Sequence, residues 1–198
     1  MSGGYHHGDL RNALIAAGLG ILERDGPEAL SLRACAASAG VSHAAPKNHF
    51  ADVRRLRSAI AAEGFRRHRD AMRAAVDNAG PARAARLRAA GDAYIEFAVS
   101  QPKLFTLMFA IDKHAPDDPE LLAASRASYA VLEEVTEGLR YERSNGLPNN
   151  LAPQLYIWSL VHGFAHIAIT ARFGPGASGL SRPPTYDDIA PTFEFDSG

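Results

Sequence analysis

The chain has 198 residues, 46% hydrophobic and 22% charged, with a net charge of −1; this excludes a wholly disordered protein and allows one large domain or two modest ones. Its single cysteine, Cys35, excludes an internal disulfide framework or a cysteine-based zinc cluster and fits a reducing compartment. The opening MSGGYHHGDL lacks a signal layout and no uncharged apolar run is long enough to span a bilayer, so the expected location is cytoplasmic, with no membrane partner.

Apolar residues recur three and four apart, and no alternating Val/Ile/Thr-rich run appears before residue 174, which predicts an all-α protein. The first helix runs from an Asp9 N-cap to Asp25, with Leu10, Leu14, Ala17 and Ile21 on one face, and Gly26-Pro27 stops it. A short second helix follows from a Ser31 cap to Ala39, ended by Gly40, and a third from Ser42 to Phe50. The fourth is long, Asp52 to Asn78. Pro81 opens a fifth to Ser100, Pro102 a sixth over Lys103–Ile111, and two more span Pro119–Tyr141 and Pro153–Phe173. From Gly174 the chain is rich in Gly, Pro and Ser, which predicts an irregular tail.

Charge is uneven along these elements. Residues 1–70 hold 10 Lys/Arg against 7 Asp/Glu, residues 71–114 hold 6 against 4, and residues 115–198 hold 5 against 11. A polyanion contact would therefore fall in the first part. There the string SLRACAASAGVSHAAPKNHF sets two short helices about a tight turn. A helix-turn-helix needs a small residue where the helices cross, a glycine for positive φ and an apolar residue just after it; Ala36, Gly40 and Val41 supply these.

The order of a first helix, the Asp25-Gly26 turn, Ser31, AxxAGVS at Ala36–Ser42 and an aromatic Phe50 before a long helix resembles the DNA-binding domain of the TetR family of bacterial repressors. The resemblance covers roughly residues 8 to 60, and WSLVHG at Trp158–Gly163 resembles the last helix of the subgroup named for its Trp, His and Gly. It implies a three-helix DNA-binding domain at residues 1–51, an all-helical ligand-binding and dimerisation domain at 52–173, and the tail at 174–198.

On that resemblance, Ser42, His43, Ala44, Ala45, Lys47, Asn48 and His49 form the recognition helix and Ser31 contacts a phosphate. Lys47 stands where members commonly carry an aromatic, and Val53 where they carry a basic residue; Arg54 or Arg55 takes the latter's place. Base hydrogen bonds fall to His43, Asn48 and Lys47, and thymine-methyl contacts to Ala44 and Ala45. Pro46, lacking an N–H, loosens the start of this helix.

A protein reading two half-sites of a palindromic operator must be a homodimer. The last helix is apolar nearly all round, which assigns Trp158, Val161, Gly163, Phe164 and Ile167 to the dimer interface. Its polar residues Ser159, His162, His166 and Thr170 form one stripe, open to use by the dimer, the pocket or both. The family's ligand-binding core maps an effector pocket onto Phe65, Met72, Tyr94, Phe97, Phe105, Met108, Phe109, Tyr129 and His162, suited to a largely apolar small molecule. His162 and His166 also have the i, i+4 spacing of two metal ligands, but hydrogen-bonded packing accounts for such a pair, and no metal or cofactor is expected.

The expectation is thus a repressor released from its operator by a small effector. The rival class is a small-molecule- or metal-binding protein or an enzyme using the helical pocket. No Ser/His/Asp order, paired-carboxylate motif or phosphate-binding glycine loop supports it, so no catalytic residue is assigned.

Overall fold

The computed structural model describes residues 7–140, 147, 151–170, 185–188 and 190–195. Among these lie α1 His7–Asp25, α2 Leu32–Ser38, α3 Val53–Asn78, α4 Arg83–Ser100, α5 Pro102–Phe109, α6 Pro119–Val135 and α7 Leu151–Thr170. Short 3-10 turns occupy Pro27–Ala29, Ala45–Asn48, Ile111–Lys113 and Tyr186–Asp188. The fold is all-α; the β pairing among the described residues is one antiparallel bridge between Leu139 and Phe195. No helix among them is long and apolar enough to cross a membrane. The chain divides into two compact units, one of Met1–Arg66 with Lys103–Arg126 and one of Arg67–Pro102 with Ala127–Gly198.

The first unit is built on α1, α2, the first half of α3 and α5. Leu14, Ile15, Ile21 and Leu22 of α1 are buried with Leu56, Ala59 and Ile60 of α3 and Cys35 and Ala36 of α2. Gly18 permits this packing, because a Cβ there would sit 2.5 Å from Ile60 Cδ1. Ser31 caps α2, its Oγ accepting from Ala34 N at 3.1 Å. At the other end Gly40 has φ +69°, while Val41 N donates to Ala36 O and Gly40 N to Ala37 O, the paired bonds of a Schellman close. Phe65, Phe105 and Phe109 form an aromatic cluster, with ring centroids 5.4 Å apart for Phe65–Phe109 and 4.9 Å for Phe105–Phe109.

Polar bonds tie the α5–α6 segment into the same unit. Arg54 Nε donates to His114 O at 2.8 Å, Arg55 pairs with Asp118 at 3.2 Å, and Ala115 N donates to the buried Ser58 Oγ at 3.0 Å. Glu120 receives both Arg11 and Arg66.

The second unit packs α4 against α7, with the second halves of α3 and α6. Its core holds Met72 and Val76, Leu87, Tyr94 and Phe97, Val131 and Val135, and Ile157, Val161 and Phe164.

Several local expectations are corrected. The third helix expected over Ser42–Phe50 is instead one 3-10 turn at Ala45–Asn48. Pro46 cannot donate to the Ser42 carbonyl, which takes Ala45 N instead, and Lys47 N reaches only Ala44 O. The first helix begins at His7 rather than at an Asp9 cap, and α4 at Arg83, two residues past Pro81. The last helix starts at Leu151, so Pro153 sits in its first turn, where an N–H has no intrahelical acceptor. Its expected end at Phe173 lies outside the described residues.

The helix expected to reach Tyr141 stops at Val135, and Gly138 at φ +71° turns the chain so that Arg140 N donates to Glu194 O at 3.0 Å. The tail is accordingly not wholly irregular. Tyr186, 6% exposed, seats its ring where a Cβ on Gly91 would approach within 3.1 Å, and the Arg88 guanidinium lies 4.9 Å from its centroid while pairing with Asp187.

Candidate nucleic-acid interface and buried polar cluster

The turn between α2 and α3 displays its polar side chains because its apolar ones are anchored. Pro46 and Phe50 are buried, and the Arg11 guanidinium lies 5.4 Å from the Phe50 ring centroid. Ser42, His43, Ala44, Lys47 and Asn48 are exposed, while Ala45 and His49 are half-buried. Proline here does more than loosen a helix: its ring fills the core, and its carbonyl accepts from His49 N and Phe50 N, both at 2.9 Å.

Ser31 is exposed at the start of α2, with its hydroxyl accepting the Ala34 amide; the proton of that hydroxyl stays available to an acceptor. Asp52 Oδ1 accepts from Arg55 N at 2.9 Å and so caps α3 just after the turn. Arg54 and Arg55, the substitutes for a basic residue at Val53, are both held by protein acceptors, His114 O and Asp118 Oδ2.

The sequence-derived pocket residues fall into two groups. Phe65, Phe105, Met108 and Phe109 belong to the first unit, where Gly64 leaves room for Met108. Met72, Tyr94, Phe97, Tyr129 and His162 belong to the second. Within that unit Tyr94 Oη lies 2.7 Å from His162 Nδ1, and Tyr129 Oη donates to Gln154 Oε1 at 2.9 Å. The Tyr129 and Trp158 ring centroids are 6.1 Å apart, and those of Trp158 and His162 5.9 Å.

His68, Ser128 and Gln154 complete this cluster and were missed in the sequence. His68 is 2% exposed, its Nδ1 2.8 Å from Ser128 Oγ and its ring centroid 4.5 Å from that of Tyr94 and 5.2 Å from that of Phe97. The signal was present: Phe65, His68, Met72 and Val76 share one face of α3, but the arginines flanking His68 made the segment read as solvated. Burial holds the His68 imidazole down to about 3, with a smaller push from His162. His162 is held down to about 4 by burial and then by His166, while burial raises Tyr94 against a smaller opposing pull from Trp158. At neutral pH the whole cluster is uncharged.

The polar stripe of the last helix divides. His162 and His166 are half-buried with ring centroids 4.6 Å apart, whereas Ser159 and Thr170 are exposed. No group of three or more His, Cys, Asp or Glu among the described residues could hold a metal ion. Of the interface candidates, Val161 and Phe164 are buried in their own unit, Trp158 and Gly163 are half-buried, and Ile167 is 48% exposed. Leu155 and Tyr156, at 38% and 40% exposed, extend the outward apolar surface of α7.

Residues 87–182 match the tetracyclin repressor-like C-terminal domain. A solved protein of unknown function from Rhodococcus sp. RHA1 is 33% identical, with 94% of this chain and 92% of that one covered and a TM-score of 0.71. The fold is also similar to a TetR family transcription regulator from Marinobacter aquaeolei VT8, at 18% identity, 85% and 87% coverage and a TM-score of 0.58. The TetR family regulator PfmR from Thermus thermophilus gives 17% identity, 83% and 86% coverage and a TM-score of 0.57. Among curated proteins none matches the chain.

Proposed function

Because the chain belongs to the TetR family of transcriptional regulators, we propose that this DNA-binding regulator is a repressor that grips a palindromic operator as a homodimer and releases it when a small effector binds. Residues 1–51 carry DNA recognition, and residues 52–173 carry effector binding and dimerisation. The observation that carries the reading is the exposed set Ser42, His43, Ala44, Lys47 and Asn48 on a turn held from beneath by Pro46 and Phe50. Such a display suits the major groove: Lys47 neutralises a phosphate or meets guanine, Asn48 pairs with adenine, and Ser31 offers a hydroxyl to the backbone. Because the recognition element is one 3-10 turn, few side chains reach base edges, and phosphate contacts supply most of the affinity.

Dimerisation falls to the outward surface of α7, where Leu155, Tyr156, Gly163 and Ile167 offer apolar area and close approach. An effector acts by its differential affinity for the state whose two recognition turns fit the half-sites.

Titration of the protein with its own upstream DNA across a salt series tests the reading. The expected outcome is dimeric binding to one palindrome with a steep salt slope; no retention even at low salt would overturn it. Lys47→Ala should weaken binding to every sequence and lower the slope by about one, whereas Asn48→Ala should relax discrimination at one base pair by about 1–3 kcal/mol. Equal losses on all sequences would refute these separate roles.

A further inference from the structure

We infer that Asp118 is an internal competitor for DNA phosphate: in the free protein it pairs with Arg55, and on the duplex Arg55 exchanges that carboxylate for a backbone phosphate. The inference rests on the DNA-binding reading of the exposed turn and adds to it one contact and the restraint on that contact.

Both residues belong to the first unit, as does the turn itself. Arg55 stands in the first turn of α3, where its amide donates to Asp52 Oδ1 at 2.9 Å, so its backbone is fixed a few residues past the exposed Lys47 and Asn48. The two partners are held unequally. Asp118 Oδ1 accepts from Leu121 N at 3.1 Å and Asp118 O from Leu122 N at 3.0 Å, so this carboxylate caps α6 and is immobilised by it. Among the described residues the Arg55 guanidinium makes one bond, from Nη1 to Asp118 Oδ2 at 3.2 Å. The Arg55 side chain is 41% exposed and that of Asp118 only 12%. The arginine is therefore the partner able to swing.

DNA offers it a better acceptor. A guanidinium presents two parallel donors that match a phosphate, so a single-donor contact gives way to a paired one on a denser array of negative charge. Leaving Asp118 has a cost, because a partly exposed ion pair is broken and its carboxylate is left uncompensated near the duplex; such a pair is worth up to about fivefold in affinity. Asp118 is thus a positioning residue that moderates binding, and it acts on every sequence alike, since a phosphate contact reads no base. With one 3-10 turn presenting few side chains to base edges, an added backbone contact carries a large share of the grip.

Affinity would be measured across a salt series on the protein's own upstream DNA and on a duplex of shuffled sequence. Arg55→Gln should lower the salt slope by about 0.9 on both, and Arg55→Lys, which keeps the charge, should retain it. Asp118→Asn preserves a helix cap and removes the competitor, so it should raise affinity about three- to fivefold at an unchanged slope. Asp118→Ser, likewise a cap, should do the same, and urea midpoints identify which variants are folded. In the Arg55→Gln background the gain should shrink to that of Asp117→Asn, which removes the same charge from the exposed neighbouring position. A gain that persists in full without Arg55, or no gain from either folded Asp118 variant, would overturn the inference. Retention of DNA with a slope that Arg55→Gln leaves unchanged defeats this inference alone, whereas no retention of either duplex by the wild type defeats the regulator reading and this inference with it.

Discussion

Replacing Ser58 by alanine tests how much one buried acceptor adds to the polar bonds that tie the α5–α6 connection to α3. Ser58 is fully buried, and its Oγ accepts the Ala115 amide at 3.0 Å. Removing it strands a buried N–H, which costs about 1–3 kcal/mol, while the serine-to-alanine change within a helix returns about 0.5 kcal/mol of propensity. The net expected loss is about 0.5–2.5 kcal/mol, a large fraction of a domain's stability. Urea denaturation gives the midpoint, and hydrogen exchange at the Ala115 amide gives the local protection. Ala74→Ser, on the exposed side of the same helix, isolates the propensity contribution. An unchanged midpoint together with undiminished Ala115 protection would show that this amide finds another acceptor and that Ser58 does not hold the connection.

Three further perturbations follow from the geometry. Ser31→Ala should cost about 1 kcal/mol through loss of the α2 cap, with Ser31→Asp retaining most of it; equal urea midpoints for the alanine variant and wild type would count against the cap. Tyr129→Phe should cost about 0.5–1.5 kcal/mol by removing the donor to buried Gln154, read from the same denaturation curve, and no loss would mean that Gln154 repairs itself with water. Acid should destabilise the fold. His68 and His162 titrate near 3 and 4 when folded, against an ordinary 6.5, so the unfolded chain binds more protons between those values. Stability contributed by their neutral burial is complete above about pH 6.5 and falls as pH drops toward 4 and 3. His162→Gln should flatten the upper part of that decline, above the carboxylate range; an unaltered slope would contradict the buried neutral imidazole.

Local rules carried much of the structure. Ser31 as a cap, Gly40 as a helix stop and the AxxAGVS turn are decided within a few residues, by side-chain-to-backbone bonds and by the φ that glycine tolerates. Long helices such as α3 and α4 were legible because their apolar spacing persists over many turns. The turn at Ala45–Asn48 was not. A capping serine before a periodic run reads as a helix, and the burial of Pro46, which fixes the 3-10 geometry, depends on what packs beneath it.

The sequence by itself determined the all-α class and the family, because periodicity, capping and motif spacing are local. Tertiary structure decided the neighbourhoods. It assigned Phe65, Phe105, Met108 and Phe109 to one compact unit and Tyr94, Phe97, Tyr129 and His162 to the other, brought His68 inside despite its arginine neighbours, and committed Arg54 and Arg55 to protein acceptors. It also seated Tyr186 beside Gly91. In each case a side chain's partner lies many residues away, so its burial, and hence its charge state and its chemistry, follow from packing that helical spacing alone leaves open.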